Sequence, residues 1–530
     1  MTAVVLLFQL LVGQAQVETT EVSLGLRTPG QAKYSFAVSP DGNHIAFTDV
    51  RRGKECVVAD GVPGTLYDSI PRAALTEAGI QDQIIFSPDS RDVAYVARKG
   101  PKYLVVRKGG EGKVYDHINI GAPTFSPDSK RLAYFATRGE KELCVADGVE
   151  GRALDSVDSF RPMFSPDSKR LLYRASRGGK AFVVVDGVEI PEADYHGHPD
   201  FGGDGGRSYD VAKVGDKWVV WIDGKPSRPY DGVGNNIVFS SDYKRVLYRA
   251  SDRTGSFLVV DGKESKRHGP ISENSYKFTP GGKVVFVVRQ TAGSFVVIDD
   301  VAGEVFDWVS DPVFSHDGSS MAFVAEKNLK RFVVHDGKRS QEYADLGMWP
   351  RFAPAGRRLV YSGKLAGENL VVDGVAKSFE AVRTAQFSHD GRRLAVVARE
   401  AGIWSLYVDG VKGQTLDSDQ VAVVFSPDSK RLACVGPRGK GAVLVVDGVT
   451  IGEYDDSGFL GFDRNSRHLF MLAKRGDKWF PVVEGVEGKS YDSLVWAGVP
   501  SIDESGAFSF LAMRGEEYLR VTVRRSPSKN

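Results

Sequence analysis

Phe125-Ser126-Pro127-Asp128-Ser129-Lys130-Arg131-Leu132-Ala133-Tyr134 returns with small changes as residues 164–173 (FSPDSKRLLY) and again as residues 425–434 (FSPDSKRLAC). Aligning the chain on the aspartate of this phrase gives anchors at Asp41, Asp89, Asp128, Asp167, Asp204, Asp242, Gly281, Asp317, Ala355, Asp390, Asp428, Asn465 and Ser505. The spacing is about 38 residues, a period that marks a repeat architecture. Within one unit, Pro127-Asp128-Ser129-Lys130 is turn chemistry, because Pro presets φ and Asp bonds its own backbone. Arg131–Ala136 reads as a strand, Thr137–Lys141 as a polar loop and Glu142–Ala146 as a further strand. Asp147-Gly148 then makes a two-residue hairpin turn, and the Asp-Gly pair recurs at Asp60, Asp186, Asp223, Asp261, Asp336, Asp373, Asp409 and Asp447.

Four short strands joined by tight turns make an antiparallel meander. A sheet of that size cannot bury its faces alone, so its neighbours must stack on it. A solenoid would want parallel strands, which the Asp-Gly hairpins exclude; radial stacking leaves only short, protected edges. The expected fold is therefore all-β, tandem β-propellers of about thirteen four-stranded blades. Propellers hold four to eight blades, so thirteen imply two rings, of six and seven. The expected boundaries are 16–270 for the first propeller and 271–530 for the second, with the crossover near Gly269-Pro270. The last unit ends after its third strand, and Val17–Leu26 is the strand-like segment left to supply the fourth.

At the units headed by Phe125, Phe164 and Phe425 the chain resembles the WD40-like, or PD40, propeller repeats of bacterial envelope proteins, the type found in the TolB propeller. The resemblance covers nearly the whole mature chain. It implies a propeller and an envelope or extracellular setting, periplasmic or secreted. It does not carry over TolB's role, because no α/β domain precedes the repeats. No Trp-Asp dipeptide is present either.

Of the 530 residues, 42% are hydrophobic and 26% charged, the proportions of a globular protein. Lys and Arg total 69 against 68 Asp and Glu, so no basic excess points to nucleic acid. Cys56, Cys144 and Cys434 lie far apart in apolar runs and read as buried small hydrophobes.

The chain carries no Gly-x-Ser-x-Gly elbow, His-Glu-x-x-His or P-loop. His196 and His198, followed by Asp200, form the one close histidine pair; a third metal ligand is not assignable, so no metal and no cofactor is expected. Cations crowd the loops between second and third strands (Arg98, Arg138, Arg177, Arg475, Arg514), and acids crowd the blade-to-blade loops (Asp68, Asp116, Asp155, Asp455, Asp492). Such a rim either binds an anionic polymer or pairs with itself, blade to blade. Trp308, Trp349 and Trp496 fall in blade-to-blade loops, where they would either meet a partner or plug the channel. The expected function is an exported, monomeric scaffold that binds a protein or glycan partner through its loop rim at Trp308, Trp349, Trp496, His196, His198 and Asp200, without catalysis. The alternative is a propeller hydrolase or lyase acting on a polysaccharide or peptide.

Ala3–Val12 is a ten-residue apolar run followed by Gly13-Gln14-Ala15, which reads as a secretory signal over residues 1–15. It is too short to cross a bilayer as a helix, and no later stretch is long enough, so no membrane insertion of the mature chain is expected. N-terminal sequencing of protein from its native host should begin near Gln16; a chain still starting at Met1 would end this reading.

Overall fold

The computed structural model describes residues 17–28, 31–71, 84–107, 110–119, 123–157, 161–190, 193–495 and 500–525, with the side chains of 32–35 excepted. The expected signal segment lies outside them. Among the described residues there is no helix. Antiparallel sheets follow one another along the chain and are numbered here as blades 1–13: residues 31–63, 84–115, 117–150, 156–189, 195–226, 232–264, 277–302, 308–339, 345–379, 381–416, 422–454, 456–487 and 493–525. In each the strands lie in chain order; in blades 3, 4, 5, 8 and 13 the first strand is split into two short pieces, both paired with the second. The protein is an all-β β-propeller of thirteen four-stranded blades, in which Val17–Leu26 pairs with Glu517–Arg525 as the fourth strand of blade 13.

The repeat phrase builds one end of every blade. Asp147 (φ 54°) and Gly148 (φ 77°) both take the left-handed conformation, as a type I′ hairpin requires. The Asp147 carboxylate also accepts the Leu132 N–H at 2.9 Å, tying the two turns at this end together. Ser126 Oγ donates to Asp128 (2.6 Å) and accepts the Arg131 N–H (3.0 Å), which closes the Ser-Pro-Asp-Ser turn.

Successive blades are joined on both rims. Ser129 Oγ accepts the Asp89 N–H of the preceding blade at 2.8 Å, and Ser168 does the same for Asp128. Arg131 pairs with Asp147 of its own hairpin, lies 5.0 Å from the centre of the Phe164 ring in the next blade and donates to the Lys169 carbonyl at 2.8 Å. The stacking recurs for Arg170 over Phe201, Arg207 over Phe239, Arg245 over Phe278, Arg358 over Phe387, Arg393 over Phe425 and Arg431 over Phe462. On the opposite rim, Asp155 takes Lys141 of its own blade at 2.5 Å and the Gly178 N–H of the next at 2.7 Å. Lys141 and the Gly178 amide together hold its carboxyl below the usual range. Between these rims the apolar faces meet: Ala133, Phe135 and Cys144 of blade 3 pack on Leu171, Tyr173 and Ala175 of blade 4. The three cysteines are buried and free, and burial pushes the Cys144 and Cys434 thiols up to about 12, which leaves them unreactive.

The chain divides into two compact units. One runs from Leu24 to Val305 and holds blades 1–7; the other holds blades 8–13 and the N-terminal strand up to Ser23. The division falls at Val305/Phe306, one blade later than Gly269-Pro270, which lies in the connection between blades 6 and 7.

The N-terminal strand is anchored by charge. Arg514 grips Glu21 with both terminal nitrogens (3.0 and 2.7 Å), and the Tyr491 hydroxyl donates to the same carboxylate at 2.7 Å. Chiefly through Arg514, this holds the Glu21 carboxyl at about 2, against an ordinary 4.5. A depressed carboxyl contributes stability that is present above the unfolded value and is lost as pH falls from there toward 2. A Glu21→Gln variant should therefore be less stable than the parent at pH 7, with the gap closing between pH 4.5 and 2 in urea melts. A gap that does not change with pH would refute this role.

Candidate functional site

Where every blade joins the next in the same way, a departure from the repeat singles out a site. Several junctions depart: the stacking arginine's place is taken by His44, Asp92, Lys283, Ser320 and His468 in blades 1, 2, 7, 8 and 12. Between blades 1 and 2 the place of the stacking arginine is taken by His44. Its Nδ1 lies 2.6 Å from Asp60, the aspartate of the hairpin, and its ring centre lies 6.5 Å from that of Phe86. Imidazole is shorter than guanidinium, and the Phe86 ring is left half-buried with Arg91 exposed beside it. A cleft of about 670 Å³ opens there, against about 330 and 390 Å³ at the junctions spanned by Arg358 and Arg393. Its wall is Val57, Ala59, Val62, Pro63, Phe86, Val93, Tyr95 and Val106; its polar groups are His44, Asp60, Ser90, Arg91 and Arg107. With Asp60 fixing Nδ1, the other ring nitrogen is left as the proton acceptor.

Between blades 4 and 5 the core itself turns polar. At several junctions an aromatic from the end of one blade meets one from the second strand of the next edge-to-face, as Tyr115 meets Tyr134 and Tyr230 meets Tyr248. Here Ala193 and Asp210 occupy those places. Asp210 pairs with His196 Nδ1, and both side chains are buried. Arg174 of blade 4 reaches across to the His196 and Gly197 carbonyls at 3.0 and 2.9 Å. His196 Nε2, Asp210 Oδ1 and Trp221 Nε1 are buried with no protein partner. His198 is exposed, and Asp200 accepts the N–H of its neighbour Phe201 at 2.7 Å. The His196–His198–Asp200 cluster expected from spacing is thus not brought together: His196 ends the short strand Tyr195–His196 with its side chain buried, and the chain leaves the strand before exposed His198. Among the described residues no group of three His, Cys, Asp or Glu side chains is placed to hold a metal.

A further departure lies in blades 8 and 9. Trp349 is 51% exposed and stands edge-to-face on half-buried Trp308, with ring centres 6.0 Å apart. Trp496 lies outside the described residues. The loop cations pair with glutamates of their own blade's fourth strand, as Arg138 with Glu150 (2.7 Å) and Arg475 with Glu487 (2.8 Å). The loop acids bind lysines and turn amides instead. The rim therefore pairs with itself, but not in the Arg–Asp pattern expected. Spacing alone did not reveal His44, Asp60, Arg174 or Asp210. Their signal is a mismatch in the aligned units: His44 in the place of Arg131, and Asp210 in the place of Tyr134.

No family model matches the chain, and no curated protein matches it. Among solved structures it is similar to the β-propeller domain of the Trilobed protease from Pyrococcus furiosus, at 18% identity over 47% of this chain and 93% of that one, with a TM-score of 0.22. It is also similar to the GH74 enzyme of Niastella koreensis, at 12% identity over 92% of this chain and 90% of that one, with a TM-score of 0.23. A third is the acylaminoacyl peptidase of Pyrococcus horikoshii, at 14% identity over 52% and 56%, with a TM-score of 0.21. These are a protease, a GH74 enzyme and a peptidase, so the expectation of a protein without catalysis is corrected and withdrawn. Likeness at this level carries no argument about which chemistry this chain performs.

Removing one member of a buried hydrogen-bonded pair strands the other, at a cost of about 1–3 kcal/mol. Asp210→Ala should lower the unfolding free energy by that amount in denaturant melts. A change within ~0.5 kcal/mol would mean that the blade 4–5 junction does not depend on the pair.

Proposed function

We propose that the protein is a propeller hydrolase or lyase acting on a polysaccharide or peptide, with the cleft between blades 1 and 2 as its site. The observation that carries this reading is His44. Beside a cleft of about 670 Å³, the arginine of the repeat is replaced by an imidazole whose Nδ1 is held by a carboxylate. That is the arrangement of a general base: Asp60 fixes ring and tautomer, and Nε2 takes a proton from the attacking water or from the substrate carbon. The proton then passes to the leaving group. The cleft's volume and mostly apolar wall with few polar groups fit a small-molecule or side-chain site.

Trp349, propped on Trp308, supports a second role in the other unit, as a platform for a protein or glycan partner, since large rings of low conformational entropy dominate such contacts. Export to the periplasm or exterior, monomeric closure of the blades into two rings, and kinship with PD40 repeats belong to the same proposal.

His44→Arg provides the test, because arginine is the residue that roofs the junction at Arg131, Arg170 and their equivalents. Assayed on a panel of polysaccharides and peptides, this variant should keep or raise the melting temperature while losing at least about 100-fold in activity, the scale of one general base. Unchanged turnover in His44→Arg would overturn the assignment.

A further inference from the structure

We propose that the cleft between blades 1 and 2 takes an apolar side chain of a peptide rather than a sugar ring; this deepens the functional reading above and rests on it for the place of the site. The argument begins with what the repeat would have put there. Arg131 and its equivalents lie across the phenylalanine of the following blade, with the guanidinium bound to a turn carbonyl, so the groove beneath is roofed. Even where Asp92 stands in the arginine's place, Arg107 reaches over from the hairpin position. It pairs with Asp92 at 2.6 Å and lies 5.2 Å from the Phe125 ring centre. His44 breaks the pattern toward blade 2, and the uncovered surface is hydrocarbon: Phe86 at one side, Val57 and Val106 on the sheets, Val62 and Pro63 at the outer strand.

The polar groups of the cleft are already engaged with protein. His44 and Asp60 bind one another, and Asp60 also accepts the Ile45 N–H at 3.0 Å. Ser90 Oγ accepts the Asp41 N–H at 3.0 Å. Arg107 is tied to Asp92 and to the Ser129 carbonyl at 3.3 Å. A pyranose carries hydroxyls around its whole rim, and those out of reach of His44 Nε2 and Arg91 would surrender water for a mostly apolar wall, which is unfavourable. A leucine or phenylalanine side chain gives up nothing by entering and covers the same hydrocarbon from water. A peptide backbone passing the mouth keeps its amides in solvent, within reach of the imidazole.

The test uses binding, which is separable from turnover. The full chain is titrated calorimetrically with the blocked tripeptides acetyl-Gly-Leu-Gly-amide and acetyl-Gly-Ser-Gly-amide and with cellobiose. The leucine peptide should bind at least about tenfold more tightly than either of the others. His44→Arg should abolish that preference while leaving the melting curve in place. A second variant, Val57→Thr, keeps the side-chain volume but places a hydroxyl on the wall, and should weaken the leucine peptide selectively. Equal binding of the serine peptide, stronger binding of cellobiose, or an unchanged preference in His44→Arg would overturn the proposal. Retained leucine binding in a protein that turns over no peptide would instead sink the catalytic reading and leave this one standing.

Discussion

An arginine laid over the phenylalanine of the next blade is the contact on which the rest of the molecule is hung. Arg131 shows why it is economical: one side chain closes its own hairpin through Asp147, covers Phe164 and satisfies the carbonyl of Lys169. A four-stranded sheet has two apolar faces and no way to cover them by itself. The stacking arginine, the Ser129-type hydroxyl and the Asp155-type carboxylate each cross from one sheet to the next, so registration between blades is set at both rims before the interior is considered. Each contact is worth little alone, about 0.5–1 kcal/mol for an exposed cation–π pair. Their repetition makes the stacking cooperative in the manner of a repeat protein.

The same device limits where the chain can be altered for function. The arginine's place is taken by another residue at His44, Asp92, Lys283, Ser320 and His468, and at His44 a cleft of about 670 Å³ opens beside half-buried Phe86. A polar interior appears at Ala193 and Asp210, where an acid and His196 stand in the place that apolar side chains such as Leu416 and Cys434 fill at another junction. The two places differ in what they can do. His44 faces a cleft open to solvent, whereas His196 is enclosed and serves the joint between blades 4 and 5 through Asp210 and the backbone contacts of Arg174. The tryptophans mark a third departure of another kind, an aromatic surface kept outside the core by the irregular pairing of the strand Asp345–Phe352.

The repeat, the four strands per unit, the Asp-Gly turns and the all-β class were legible in the sequence because they rest on local chemistry. Positive φ at Asp147 and Gly148, proline before Asp128 and alternation along Leu132–Arg138 act within a few residues and leave their mark in composition. Burial of the cysteines was legible for the same reason. The loop charges were visible as well, but not their partners. Arg138 finds Glu150 twelve residues on and Asp155 finds Gly178 in the following blade, distances at which a linear pattern cannot rank the candidates.

What the sequence determined by itself is thus the blade: its strands, its turns and the side of each strand that turns inward. Which unit each blade joins, with the division at Val305/Phe306, was decided by packing between sheets that look alike in one dimension. The candidate site belongs to the same class. His44 looks like any polar residue before a strand until the neighbouring blade is in place and the missing arginine leaves Phe86 half-buried. His196 and His198 look like a pair until the break after the strand Tyr195–His196 leaves one in the core and the other in water. In both cases the deciding quantity is burial between two blades, and burial exists only once the blades have stacked.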